Sequence, residues 1–189
     1  MLRLTLLGAD SQTGSSLCAK CPHSAAGCCV APPPLTLTDL ARILKHDGRE
    51  WLLAELASKR LEPSERGLSI RRTKARVSGE RGAPRLTKCV FHGVTGCTIE
   101  HTRRSVTCNM YICESALTED KAESAVAGDI RDAHARIMSD QVRLGERLIE
   151  AMSKAYPEGP PYDAAFFDWL VFTYEQALIT ETVPPLSPS

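Results

Sequence analysis

Apolar residues recur at helical spacing in four stretches of this chain and alternate with polar ones in a fifth. "LTLTDLARILKHDG" sets Leu40, Ile43 and Leu44 on one helical face, with Thr38 as the expected N-cap and Gly48 as the stop. A proline-stiffened "APPP" precedes it. "REWLLAELASKRL" predicts a second helix that ends before Pro63 and gives Trp51, Leu52, Leu56 and Leu61 to the core. Farther on, Val126, Ile130, Ala133, Ile137, Leu144, Leu148 and Met152 fall near one face of a long helix, which Gly159, Pro160 and Pro161 interrupt. The last helix starts at an Asp163 cap and aligns Phe166, Leu170, Tyr174 and Leu178. Its aromatics, Phe166, Phe167, Trp169, Phe172 and Tyr174, read as core packing. "VPPLSPS" is too rich in proline to continue it. Between the two helical halves, "LSIRRTKARVSGERGAPRLTKCVF" alternates and breaks at "GERGAP", which predicts a β-hairpin.

Eight cysteines change the picture. They fall into two groups: Cys18, Cys21, Cys28 and Cys29, then Cys89, Cys97, Cys108 and Cys113. An even count suits disulfides in a small secreted domain. Here "MLRLTLLGAD" lacks a clean export-signal pattern, 189 residues suffice for a core without staples, and the long helical segments hold no cysteine. No apolar run approaches the roughly 18 to 20 residues that span a bilayer. The expectation is a cytoplasmic protein without membrane contact whose thiols bind metal. Four thiolates suit tetrahedral zinc or an iron–sulfur cluster, and a Cys-x-x-Cys pair lets one turn grip a single metal. Cys28 and Cys29 are neighbours, and in extended backbone their side chains point to opposite sides. They therefore reach two centres more readily than one, unless one of them is a buried hydrophobe. Eight thiols divide into two four-sulfur sites, each drawn from both groups, with the pairing of cysteine to metal left open. His23, His92 and His101 lie in the same loops and are alternative ligands; His46 and His134 read as surface residues.

The expected fold class is mainly α with a small β-hairpin, a cysteine-rich metal-binding core covered by C-terminal helices. The expected division is a cysteine-cluster metal-binding domain over 1–115 and a helical extension over 116–189 packed on it.

These residues carry a resemblance. "CAKCPHSAAGCCVAPPPLTLTDLARI" resembles the opening of the bacterial YkgJ-like CxxCxxxxCC cysteine-cluster family, in which such a loop precedes a helix start matched here by Leu37, Thr38 and Asp39. "CVFHGVTGCTIEHTRRSVTCNMYIC" is similar to that family's second half at Cys89, Phe91, Cys97, Ile99, Arg104, Cys108, Tyr111 and Cys113. Ser105 stands where the family usually has proline, and Glu100 where it has an aromatic. The resemblance covers about residues 16 to 115 and implies zinc or iron chelation by the cysteines without fixing an activity.

Charge adds one constraint. Positive and negative side chains balance at 23 each, yet ten basic residues and three acidic ones lie between Lys59 and Lys88. Eight thiolates with two divalent ions leave four negative charges in one place, which need counter-charge. Arginines of the hairpin, with Arg103 and Arg104, are expected to face the sulfurs, the alternative being a solvated basic face. Three functions follow: a metal-chelating protein; an iron–sulfur enzyme related to flagellin lysine N-methylase, which the same resemblance suggests; and a zinc module binding nucleic acid through the basic hairpin. A zero net charge, an acidic C-terminal half and few aromatics in the basic stretch count against nucleic acid. No catalytic residue is legible, since there is no radical Cys-x-x-x-Cys-x-x-Cys motif, no glycine-rich nucleotide loop and no Ser/His/Asp or paired-carboxylate pattern. A protein partner is not legible either.

Overall fold

A computed structural model describes residues 2–15, 27–76, 85–93, 96–113 and 124–182. Its centre is the helix α1 (Leu37–Lys45). The N-cap is Thr36, two residues before the expected Thr38. The Thr36 hydroxyl accepts from the Asp39 amide at 3.2 Å, and the Asp39 carboxylate accepts from the Thr36 amide at 3.0 Å. This reciprocal box satisfies two donors that a helix start leaves open. All seven residues from Leu37 to Ile43 are buried, so α1 is enclosed on every side rather than along one face.

The helix α2 (Arg49–Ala57) follows at once, with Leu52 buried and Trp51 and Leu56 packed on the core. It stops at Ala57, earlier than expected. Lys59 adopts a positive φ of 55°, and the chain turns into the strand β4 (Leu61–Ser64), which places Leu61 in the core as part of a sheet. Pro63 is tolerated there because β4 is an edge strand.

The β content exceeds a single hairpin. Four small antiparallel sheets occur among the described residues. The first pairs β1 (Leu2–Thr5) with β2 (Gln12–Ser15). The second orders β3 (Leu35–Thr36), β5 (Gly67–Ile70) and β4, with β5 central. Gly67 has φ 145°, and a side chain there would run into the Leu35 backbone, so only glycine fits this crossing. The expected hairpin is the third sheet, β6 (Arg72–Arg76) with β7 (Arg85–Cys89), in a register that sets Arg72 opposite Cys89. The fourth pairs β8 (His92–Gly93) with β9 (Gly96–Cys97).

A short helix α3 (Val106–Met110) precedes the long α4 (Ser124–Ala155) and the C-terminal α5 (Ala164–Thr182). The Asp163 carboxylate accepts from the Phe166 amide at 2.8 Å, which is the expected cap. α4, α5 and α1 pack together. Leu144, Leu148 and Met152 from α4 meet Phe166, Phe167, Leu170 and Tyr174 from α5 in one core with Leu35, Leu40, Ile43, Leu68 and Phe91. Phe172 departs from the core expectation and is 63% exposed. Ile130 is buried as expected, and Ala133 belongs to a smaller cluster with Val106 and Met110, which Ile137 lines. The Val126 side chain and residues 183–189 lie outside the described residues. No described helix is long and apolar enough to cross a membrane.

Candidate functional site

Five cysteine side chains can be placed. Cys89 ends β7 and is buried in the main core, against which Cys29 also packs, half-buried. Cys97 ends β9 and is exposed. Cys108 sits in α3 and Cys113 just beyond it, both half-buried. No disulfide joins any two of these five. Cys18, Cys21 and the Cys28 side chain, with His23, lie outside the described residues.

The flanks of the first cysteine loop are nevertheless informative. On its entry side, β2 packs on α3, and the Thr13 hydroxyl donates to the Asn109 carbonyl at 3.2 Å. On its exit side, the 3-10 turn Gly27–Val30, which holds Cys28 and Cys29, packs against β7 and so beside the strand that Cys89 closes. The segment that leaves β2 at Ser15 and returns at Gly27 is thus bounded by α3, with Cys108, at one end and by β7, with Cys89, at the other.

The second loop is held by polar side chains of α1. One Asp39 carboxylate oxygen closes the α1 capping box; the other accepts from the Val106 amide at 2.7 Å, the first residue of α3. One carboxylate therefore serves the starts of two helices. Burial pushes the Asp39 carboxyl above its ordinary value, against the hydrogen bonds from Val106 and Thr36 and the nearby Arg42 charge. One turn on, the buried Arg42 guanidinium donates to the Thr102 carbonyl at 2.9 Å, to the Arg104 carbonyl, and to Asp10 Oδ1 at 3.1 Å. Asp10 also meets His46 Nε2 at 2.9 Å. Burial alone would raise the Asp10 carboxyl; the bonds from His46 and Arg42 outweigh it and hold the group below its usual value. Within the loop, Ser105 caps α3 by accepting from the Cys108 amide at 3.1 Å, and Asn109 Nδ2 donates to the His101 carbonyl at 2.7 Å. The Ser105 hydroxyl is the acceptor of this cap, as expected of an N-cap serine.

None of these positioning residues was identified from sequence as such. The Asp39 role had a signal, because Thr36-x-x-Asp39 is a capping-box pattern. Arg42 inside "LARIL" gave none.

The electrostatic expectations resolve in part. Arg104 Nε donates to the Ile99 carbonyl at 2.7 Å, and Arg103 lies over the Trp51 ring at 6.0 Å. Arg60 pairs with Glu55 and stands over Phe91. Lys88 Nζ donates to the His92 carbonyl at 3.1 Å and lies 3.3 Å from its Nδ1. Burial, and then the Lys88 charge, push the His92 imidazole below its ordinary value, so it is neutral near pH 7. A neutral ring is the ligating form, and the register sets His92 opposite Cys97. Arg71, Arg72 and Lys74 are exposed to solvent.

Among the described residues, no three His, Cys, Asp or Glu side chains gather closely enough to hold a metal ion. Cys18, Cys21 and the Cys28 side chain fall outside that set. Soft thiolates in such number fit zinc or iron better than hard, oxygen-preferring cations. No family model matches the chain, and no curated protein or solved structure matches it. Six residues separate Cys21 from Cys28, where the resembled family's pattern has four.

Proposed function

We propose that this protein chelates zinc or iron through thiolates of both cysteine groups, in centres shared between the two loops. The observation that carries this reading is the flanking geometry. The first loop departs from β2 against α3 and returns by the Gly27–Val30 turn against β7, while the second group's Cys108 and Cys89 lie on α3 and β7. Asp39 and Arg42 add to it by fixing the backbone that leads into Cys108, at Thr102, Arg104 and Val106. Cys29, Cys89, Cys97, Cys108 and Cys113, with Cys18, Cys21 and Cys28, are the proposed ligands. Bound metal would supply a cross-link between chain segments that carry few apolar contacts of their own.

The test is purification without air, followed by metal analysis and a visible spectrum. About two zinc ions per chain in a colourless sample support structural chelation. A brown sample with acid-labile sulfide identifies an iron–sulfur centre and favours the enzyme related to flagellin lysine N-methylase. A metal-free chain that takes up neither ion on reconstitution contradicts the proposal.

A further inference from the structure

The hairpin of β6 and β7 gives the metal reading its last residue, Cys89, while Arg71, Arg72 and Lys74 at its base are exposed, as the alternative of a solvated basic face has it. Five of its ten strand residues are basic and none is acidic. Its register sets Arg72 opposite Cys89, Lys74 opposite Thr87 and Arg76 opposite Arg85. Arg72, Lys74 and Thr87 are exposed, as is Arg71, whose carbonyl accepts from the Val90 amide at the base of the hairpin. Nearby cations are neutralised: Arg60 by Glu55 and Arg66 by Glu146. Arg71, Arg72 and Lys74 meet no carboxylate among the described residues. A chain with equal numbers of acids and bases thus concentrates positive charge on one narrow ribbon, where the described Arg72 and Lys74 face no described carboxylate.

We propose that this ribbon contacts the phosphate backbone of duplex nucleic acid. Arg72 and Lys74 project from one face of β6 two residues apart, about 7 Å. That is about twice the 3.4 Å axial interval between phosphates on one strand. A two-stranded antiparallel ribbon is also an element that a duplex groove admits. Protein interfaces centre on apolar and aromatic residues, amphipathic membrane elements insert apolar side chains, and purely electrostatic lipid binding draws on clusters of about four to eight basic residues. The described exposed residues of the ribbon, Arg72, Thr73, Lys74 and Thr87, offer none of these. A polar, strongly positive face is the character of nucleic-acid contacts. The scarcity of aromatics in this stretch counts against stacking on single strands, not against phosphates of a duplex. The zero net charge is no obstacle, because local potential governs encounter. This proposal stands apart from the metal reading and can fail or hold without it.

The experiment measures fluorescence anisotropy of a labelled mixed-sequence 20-base-pair DNA duplex with the full chain across a salt series. The wild type is expected to bind at about 50 mM salt and to weaken linearly on logarithmic axes, by about 0.9 per phosphate contact. The exposed triple variant Arg71→Ala/Arg72→Ala/Lys74→Ala is expected to lose at least tenfold in affinity and to flatten that slope by about 2 to 3. Its circular dichroism should match wild type. A control with equal charge loss on α4, Arg131→Ala/Arg136→Ala/Lys154→Ala, should change affinity less than threefold. No binding at about 50 mM salt, or equal losses in the two variants, overturns the proposal. Poly-glutamate competing as well as unlabelled duplex, at equal charge, overturns it in favour of an acidic protein partner. Equal retention on anionic vesicles overturns it in favour of a lipid surface.

Discussion

Two regions of this molecule are held together by different means. The junction of α4 and α5 is apolar and aromatic: Tyr156 and Tyr162 meet Phe166 edge-on at 5.4 and 5.2 Å, Trp169 stacks on Phe166, and Leu144, Leu148 and Leu170 fill the space around them. The segment from Ile99 to Cys113 is secured chiefly by directed hydrogen bonds from Asp39, Arg42, Ser105 and Asn109; among its described residues Ile99 reaches the main core, and Val106 and Met110 share a small buried cluster with Ala133 of α4. It also carries costs. Asn109 Oδ1 and Arg42 Nε are buried without a hydrogen-bond partner among the described residues. Apolar packing stabilises the first region. The second is positioned accurately but held lightly, which is the condition under which a metal cross-link contributes most.

The contrast can be broken first at the aromatic junction. Phe166→Ala should cost about 3 to 5 kcal/mol in urea unfolding, by lost transfer energy and an unfilled cavity. The same loss is expected before and after chelator treatment, because Phe166 meets the rings of Tyr156, Tyr162 and Trp169. Asp39→Ala should cost about 3 kcal/mol, since it strands the Val106 and Thr36 amides. Unlike Phe166→Ala, it should also lower the metal content of the purified protein. Equal metal content in the two variants would show that the clamp does not position ligands.

Smaller effects sharpen the comparison through pH. The Tyr162 hydroxyl donates to the Gly67 carbonyl at 2.6 Å and lies 3.0 Å from that of Ser64; burial pushes it up to about 12 from 10. A raised native value means that its contribution to stability is complete below about pH 10 and is lost as pH rises through about 12. Tyr162→Phe should cost about 1 to 2 kcal/mol at neutral pH and remove that alkaline step from the melting curve. Asp10 behaves oppositely. Its depressed native value gives stability that is present above about pH 4 and lost as pH falls through the native value. Asp10→Asn should therefore shrink the acid-side loss in Tm while costing no more than about 1 kcal/mol at pH 7, as expected of a partly exposed pair.

Periodicity made the apolar region legible: Ile130, Leu144, Leu148 and Met152 on α4, the Asp163 cap, and Phe166, Leu170 and Tyr174 on α5 all stand where spacing puts them. The register-bearing hairpin was legible too. At α1 spacing placed Leu40, Ile43 and Leu44 on the core but did not show that the enclosed helix also buries Thr38, Asp39 and Arg42. Spacing failed at the end of α2, where a three-residue link to β4 with a left-handed Lys59 halts a pattern that reads as helical to Leu61. The cysteines announced a chemistry but not its setting. The side chains that organise their neighbourhood act on backbone groups 60 or more positions away, as Arg42 does on Thr102 and Asp39 on Val106, and local patterns do not record such pairings.

The most direct measurement is metal stoichiometry in two anaerobically purified double variants, Cys18→Ser/Cys21→Ser in the first group and Cys108→Ser/Cys113→Ser in the second. Shared centres predict that each variant loses metal and that, in each, the thiols of the untouched group become reactive to a thiol reagent. Metal retained at the wild-type level in either variant, or untouched thiols as protected as before, would contradict convergence of the two loops on common ions.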